Sequence, residues 1–302
     1  MIVRPRPGIL KLFFVLRGSI VPRIAPQLCF FAVYATAVVL VARFTGFDFA
    51  GYSLAPFTLL GVTLSIYLGF RNNAAYERWW ESRKLWGQLA YEVRNLSRAS
   101  LALVPEHSAQ VRPMLMEALA FCHFLRGELR NVNVIEEARA FIGNDVDTLA
   151  ALQNKPDELL RRMGRRLGAL KAAGHIDAIG FRILDEHLSN MAALQAGCER
   201  ISTTPLPFAY TLLLHRSAYV FCLLLPFGLV ASTGWGTPLF TVVVAYSYFG
   251  LDALSEELED PFGTEDNDLP LDSLCRTCEI SVREALGEPS PAMPAPKRYY
   301  FS

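Results

Sequence analysis

Three long stretches without a charged residue constrain this chain more than any other feature of its sequence. Residues 24–42 hold no charge over 19 positions, residues 49–70 none over 22, and residues 217–251 none over 35. A membrane-spanning helix needs roughly 17–25 mostly apolar residues, so each of the first two stretches fits one span. The third fits two short spans, because glycine and proline mark a turn near 232–238. The pattern predicts four transmembrane helices, at about 24–43, 53–71, 214–232 and 237–253.

Composition favours a membrane protein over the alternative, a soluble protein in which these helices are buried. Charged residues make up 19% of the 302 residues, below the roughly 25% that is usual in soluble domains. Low charge combined with 52% hydrophobic residues argues against disorder. The 29 basic and 29 acidic residues balance, which argues against a nucleic-acid-binding protein defined by overall basicity.

Basic and acidic residues balance in number but are unevenly distributed along the chain. This distribution predicts how the protein is oriented in the membrane. Residues 1–70 carry six bases and one acid, residues 71–216 carry 19 and 16, and residues 217–302 carry four and 12. Basic residues near span ends favour the cytoplasmic side. Both termini and the middle region are therefore predicted to be cytoplasmic, with the protein in the cell (inner) membrane. That compartment is reducing, so the six cysteines are expected to be free thiols.

The cytoplasmic middle is predicted to be helical. Apolar residues recur there at helical spacing, and no alternation typical of strands occurs. No breaker lies between Leu64 and Leu103, so the second span is expected to continue as one helix of about 40 residues. The fold class is thus all-α, with four transmembrane helices and a cytosolic helical bundle. Its segments are the first two spans (1–71), the cytosolic domain (72–213), the last two spans (214–253) and an acidic segment with the tail (254–302).

Motifs for catalysis are missing from the sequence. It contains no GxGxxG, no Walker lysine loop, no GxSxG and no HExxH, so no enzymatic activity is expected. Cys275 and Cys278 form a lone CxxC, and a structural zinc site would need a second pair of ligands. Two thiols on successive helical turns is the simpler interpretation. His215, at the start of the third span, is interpreted as a residue of the membrane boundary rather than a metal ligand.

An apolar stripe in the second span is a candidate pore lining. Val62, Ile66 and Phe70 are spaced four residues apart and share one face of a helix. The ordinary interpretation is packing within the bundle. In a pore-forming oligomer the same stripe would be a hydrophobic constriction, which gates ions by expelling water. Arg71 and Arg78 follow near aromatic residues, and both are predicted to contact lipid headgroups.

An acidic block follows the fourth span. From Asp252 to Asp272 there are nine acids and no base. Carboxylates with an Asn and a Gly turn supply the oxygen ligands that Ca²⁺ prefers, although their spacing is not that of an EF-hand. A solvated acidic loop just inside the membrane is the alternative, and the residues alone leave both interpretations open.

Together, three segments resemble the bestrophin family of ion channels, in its prokaryotic branch. They read LLGVTLSIYLGFRNNAAYERWWESRKLWG (59–87), TTPLPFAYTLLLHR (203–216) and ELEDPFGTEDNDLPL (257–271), and the resemblance extends over about residues 4–285. It implies an all-helical homopentamer around one central pore that conducts ions passively, with chloride as the family's usual ion. The implied partners are further copies of the chain, the lipid bilayer and permeant ions, without nucleic acid.

The resemblance assigns the narrow parts of the pore to particular residues. It places a hydrophobic neck at Val62, Ile66 and Phe70. Other members carry an aromatic residue at the middle position, where this chain has an isoleucine. A second, cytosolic aperture maps to Ile179, with Ile176 as the alternative.

The resemblance also bears on the acidic block. In calcium-activated relatives this region forms a calcium clasp, which would correspond here to Glu257, Asp260, Glu265 and Asp268. The chain departs from that pattern at Glu257, Glu265 and Asn267. The resemblance therefore implies no required cofactor, and Ca²⁺ binding is an option that is not expected.

Three other functions are weighed against an anion channel. Bestrophins include cation-conducting members, and the neck residues here are neutral, so a cation-selective channel of the same fold is the first alternative. A secondary transporter would usually show repeated halves, broken helices and a charge near mid-membrane, which the predicted spans lack. A membrane-anchored scaffold would carry no ion flux.

Overall fold

The computed structural model describes residues 1–3, 8, 15–16, 18–45, 55–105, 109–296 and 299–301. Over these residues the chain forms helices, with one isolated antiparallel bridge between Ile2 and Tyr300. The helices are α1 (Val21–Thr45), α2 (Ala55–Leu103), α3 (Val111–Arg130), α4 (Ile135–Ile142), α5 (Lys155–Ala172), α6 (Ala178–Thr203), α7 (Phe208–Thr233), α8 (Thr237–Glu259) and α9 (Leu271–Ala285), with 3₁₀ turns at Gly143–Leu149 and Gly234–Gly236. The predicted all-α class is confirmed.

Helix α2 confirms the prediction of one long helix through Leu64 and Leu103, and it extends over 49 residues. Residues 53–54 of the predicted second span lie outside the described residues, as do Arg4, Arg6, Lys11, Arg17 and Asp48 from the charge count. Helix α4 is short because Gly143 follows it with a positive φ of 59°, a conformation that suits glycine.

Side-chain caps fix the starts of two helices. The Asn154 side chain accepts a hydrogen bond from the backbone N–H of Asp157 at 3.0 Å before α5. The Asp177 side chain accepts one from the backbone N–H of Gly180 at 2.7 Å before α6. Such a cap satisfies an otherwise unpaired N–H and typically contributes about 1 kcal/mol. The cap at Asp177 therefore fixes the first turn of α6, which carries Ile179.

The chain divides into two compact units. We call residues 5–79 and 205–260 the apolar unit, and residues 1–4, 80–204 and 261–302 the polar unit. In the apolar unit, α1, α7, α8 and the first part of α2 surround a shared core. Its members include Ile24, Phe31, Leu64, Leu68, Leu214, Phe221, Leu225, Tyr248 and Phe249. Aromatic contacts stabilise this core. Phe31 of α1, for example, stacks on Phe249 of α8 with ring centroids 5.5 Å apart.

In the polar unit, α3 is the central helix, with 16 of its 20 residues buried. It packs against α4, α5 and α9. A helix buried on all sides must pair its polar side chains within the protein. Glu117 accepts hydrogen bonds from Arg166 at 2.9 and 3.0 Å, and His123 Nε2 lies 2.8 Å from Glu279.

Two helical stretches among the described residues are long and apolar enough to cross a membrane. They are Val21–Thr45, with a mean hydropathy of 2.1 in its apolar window, and Phe208–Glu259, with 1.6. The second extends over 52 residues and includes the Gly234–Gly236 turn. The two stretches contain the predicted spans at 24–43, 214–232 and 237–253. The predicted span at 53–71 is not among them, and the four-span arrangement stays a prediction.

Candidate functional site

Helix α2 presents two contrasting faces within the apolar unit. Val62, Ile66 and Phe70 are 54%, 52% and 62% exposed. Leu64 and Leu68 are only 3% and 1% exposed and belong to the core. The predicted neck residues therefore share a face that the rest of the described chain leaves open. Large apolar side chains exposed in a row are typical of a surface that meets lipid, a second copy or another apolar partner.

A groove of about 640 Å³ runs beside this face, between α2 and α7. Val62 lines it from α2 and Leu225 from α7. At Gly61 an added Cβ would lie 3.1 Å from the Phe221 ring and 3.3 Å from the Tyr248 hydroxyl. Without a side chain there, the Tyr248 hydroxyl donates a hydrogen bond to the Gly61 carbonyl at 3.0 Å. Gly61 thus permits the close approach of α8 to α2.

A buried ionic cluster directly follows the stripe. Arg71 has no exposed surface and donates a hydrogen bond to Asp252. The other carboxylate oxygen of Asp252 lies 2.9 Å from His215 Nδ1, and Glu259 is 3.8 Å from the guanidinium. The prediction that Arg71 contacts lipid headgroups is wrong, because its charge is enclosed by the protein. His215 is half exposed and engages a carboxylate, in keeping with its interpretation as a boundary residue.

The two candidates for the cytosolic aperture differ in exposure. Ile179, in the first turn of α6, is 68% exposed, whereas Ile176 is 6% exposed. An exposed isoleucine can narrow an open passage, while a buried one is already committed to packing. Ile179 is therefore the residue of the two that is free to line a pore.

The predicted calcium-clasp residues fall in both units. In the apolar unit Glu257 lies 3.6 Å from Arg23, and Asp260 is exposed. In the polar unit the buried Asp268 accepts the backbone N–H of Glu265 at 2.6 Å. Within the described ranges, no three His, Cys, Asp or Glu side chains are grouped so as to hold a metal ion. Calcium binding stays a prediction of the resemblance.

The CxxC pair belongs to a buried cluster of thiols. All six cysteines lie within the described residues and are free. Cys275 and Cys278 of α9 are buried near Cys122 of α3, and the Cys275 thiol donates to the Cys122 carbonyl at 3.5 Å. A hydrogen bond with Cys278, together with burial, raises the pKa of Cys122, and burial raises the pKa of Cys275. Protonated thiols are poor nucleophiles, and the three buried side chains contribute to the apolar core of the polar unit.

Comparisons with known proteins extend over nearly the whole chain. A sequence model of a family described as Bacterial/Fungal Bestrophin protein matches residues 1–284. A voltage-dependent anion channel-forming protein of Mesorhizobium japonicum is 63% identical over 302 residues, covering 100% of this chain and 97% of that protein. The protein YneE of Escherichia coli K12, which carries the same descriptive name, is 41% identical over 302 residues, covering 99% of each chain. A crystal structure of a bacterial bestrophin homologue from Klebsiella pneumoniae is similar with a TM-score of 0.83 and 35% identity, covering 88% of this chain and 99% of that chain.

Proposed function

Since the chain belongs to the bacterial and fungal bestrophin family, we propose that it forms a homopentameric channel that conducts ions passively across the cell (inner) membrane. The observation that carries this proposal is the open apolar face of α2. Val62, Ile66 and Phe70 are each more than half exposed, while the opposite face of the same helix is buried. A helix with an apolar face that its own chain does not cover is suited to line a shared passage.

The proposed channel contains four spans per copy, with both termini in the cytoplasm. The spans are α1, the first part of α2, α7 and α8. One chain with four spans cannot enclose a pore in a simple way, whereas five copies of α2 arranged around an axis can. The groove between α2 and α7 lies beside the stripe and offers an apolar surface to a neighbouring copy.

In this arrangement Val62, Ile66 and Phe70 form a hydrophobic neck. A narrow apolar tube expels water, and ions cross it only when it is wide enough to stay hydrated. Permeation through such a neck depends on the cost of dehydration more than on fixed charge, which favours large, weakly hydrated ions. Ile179 forms the second, cytosolic constriction, a role that its 68% exposure supports.

Anions, chloride among them, are the proposed permeant ions. The support is the descriptive name of the relatives from Mesorhizobium japonicum and Escherichia coli, which are channel-forming proteins for anions. The neck residues are neutral, so they do not themselves determine whether the channel prefers anions or cations. The second candidate is a cation-selective channel of the same fold, which is favoured by an exposed carboxylate, Glu77, further along α2.

Planar-bilayer recording of the purified protein tests the proposal. With a salt gradient across the bilayer, an anion channel gives a reversal potential near that of chloride, and a cation channel gives the opposite sign. The subunit number is measured on the same preparation by mass measurement in detergent. Current that rises without saturation separates a channel from a transporter, and a protein that carries no current at all would rule out the proposed function.

A further inference from the structure

The open face of α2 does not end with its apolar residues. Successive helical residues lie 100° apart, so with Val62 at the origin Ile66 and Phe70 lie at about 40° and about 80°. Asn73 and Glu77 fall inside the same arc, at about 20° and about 60°. Both are exposed. The stripe therefore continues beyond the neck as two polar side chains.

The buried residues of α2 lie on the side of the helix opposite the stripe. Leu64, Leu68, Arg71 and Ala75 are each 3% exposed or less, and they occupy the arc from about 180° to about 240°. The buried and open arcs are thus separated over the whole stretch from residue 62 to residue 77. All these residues belong to the apolar unit.

Glu77 is the first charged side chain on this stripe. It lies seven residues after Phe70, about 10 Å further along the helix axis. No hydrogen bond or ion pair to Glu77 occurs among the described residues. Two arginines of the same helix that lie close to Glu77 in the sequence have other acceptors: Arg71 binds Asp252, and Arg78 donates to the carbonyl of Glu259. The negative charge of Glu77 is therefore not neutralised by any residue that the structure describes in its own chain.

We infer that five copies of Glu77 form a ring of carboxylates at the cytosolic end of the neck, and that this ring lowers the preference of the proposed channel for anions. The inference rests on the proposed function, because the ring exists only if α2 lines a shared pore. Rings of acidic side chains select cations in channels, and rings of basic side chains select anions. The neutral neck admits ions by size and hydration, and the charge of Glu77 shifts the ratio of anion to cation permeability towards cations.

The test is the chloride-to-sodium permeability ratio of Glu77 variants, measured in planar bilayers with sodium chloride gradients. Glu77→Gln removes the charge at almost constant volume, and Glu77→Lys reverses it. We expect the ratio to rise about fivefold to tenfold for Glu77→Gln and further for Glu77→Lys, because each step removes repulsion close to the ion path. A structural disturbance would not produce this order from glutamate through glutamine to lysine.

Glu256→Gln is the matched control, with the same change of charge in the same unit. Glu256 is an exposed residue of α8 that pairs with Arg23 at 2.6 Å, and it is not on the stripe. Its permeability ratio is expected to equal that of the unchanged protein. A current with an unaltered ratio in both Glu77 variants overturns the inference and leaves the channel standing. Absence of current in the unchanged protein overturns the channel, and the ring with it.

Discussion

Arg71 and Asp252 form an ion pair that joins α2 to α8 inside the apolar unit. The Arg71 side chain has no exposed surface, and that of Asp252 is 8% exposed. Because Arg71 directly follows Phe70 in the chain, the pair also fixes the turn of α2 at which the apolar stripe ends. A buried charge that loses its partner keeps its desolvation cost without the compensating attraction.

We expect Asp252→Asn to destabilise the protein by about 3–5 kcal/mol, because it leaves the Arg71 guanidinium buried without its main counter-charge. The loss is measured as a fall in the thermal unfolding midpoint of the purified protein in detergent. The double variant Arg71→Gln with Asp252→Asn should lose less than the sum of the single variants, since neither charge is then stranded.

The exposed pair of Arg23 and Glu256 provides the control. Its side chains are 46% and 43% exposed, and exposed ion pairs contribute about 0–1 kcal/mol. Glu256→Gln should therefore shift the unfolding midpoint far less than Asp252→Asn. Equal shifts for the two variants would contradict the conclusion that burial determines the importance of the Arg71 pair.

A buried thiol in the polar unit predicts an unusual pH dependence of alkylation. Burial raises the pKa of Cys198 to about 12, with Glu199 and Glu81 adding to the effect. Alkylation requires the thiolate, so folded Cys198 should react slowly with iodoacetamide, and its rate should continue to rise above pH 9, where the rate of an ordinary thiol levels off. Mass spectrometry of peptides from folded and denatured protein measures the difference. Rapid labelling of Cys198 in the folded protein would show that its burial is not maintained in solution.

The same shift in pKa links stability to pH. The ordinary thiol pKa is 9.0 and the folded value is about 12, so the folded state holds this proton more tightly than the unfolded state. The contribution of Cys198 is fully present below about pH 9 and is lost as the pH rises towards about 12. Cys198→Ala removes this dependence, and comparison of its unfolding midpoints with those of the unchanged protein isolates it.

Local signals in the sequence predicted most of the helical architecture. The absence of breakers between Leu64 and Leu103 predicted the continuity of α2, which the structure confirms. Asp is among the residue types preferred at helix starts, and the Asp177 side chain caps α6. Both signals act within a few turns of one helix, and for that reason a single sequence reveals them.

The buried cluster after the stripe could not be predicted in the same way. Arg71, His215 and Asp252 lie on three different helices, and only tertiary packing brings them together. The one available signal was that each lies at or beside the end of an uncharged stretch. That position is equally typical of residues that contact lipid headgroups, so the sequence prediction for Arg71 was wrong.

Two glycines in the polar unit should respond in opposite directions to substitution by alanine. At Gly127 an added Cβ would lie 2.8 Å from a methyl group of Val134 and 2.9 Å from the Val132 carbonyl. We expect Gly127→Ala to cost about 1–3 kcal/mol, because the backbone carbonyl cannot easily move away. At Gly164, inside α5, an added Cβ meets nothing within 4 Å. There we expect a gain of about 0.5–1 kcal/mol from higher helix propensity.

Thermal unfolding of the two variants in the same detergent checks both signs. Each substitution adds one methyl group to a glycine within a helix, so any general effect of alanine is common to both. A destabilised Gly164→Ala variant would contradict the open space described around that position. An unchanged midpoint for Gly127→Ala would mean that the turn after α3 relaxes to accept the side chain.

The apolar stripe offers the most direct functional prediction. We expect Val62→Ala, Ile66→Ala and Phe70→Ala each to raise the open probability of the channel in planar bilayers. Smaller side chains widen the neck, so that water and hydrated ions enter it at lower cost. The triple variant should conduct the most, with the largest change in ions that are strongly hydrated.

Val243→Ala is the matched control for Val62→Ala. Both valines are 54% exposed in the apolar unit, and both substitutions remove the same two methyl groups. Val243 lies on α8, away from the α2 stripe, so its substitution should leave open probability and conductance unchanged. If the two variants behave alike, exposure in the single chain does not distinguish a pore-lining side chain from one that faces lipid, and the neck must be sought on another helix face.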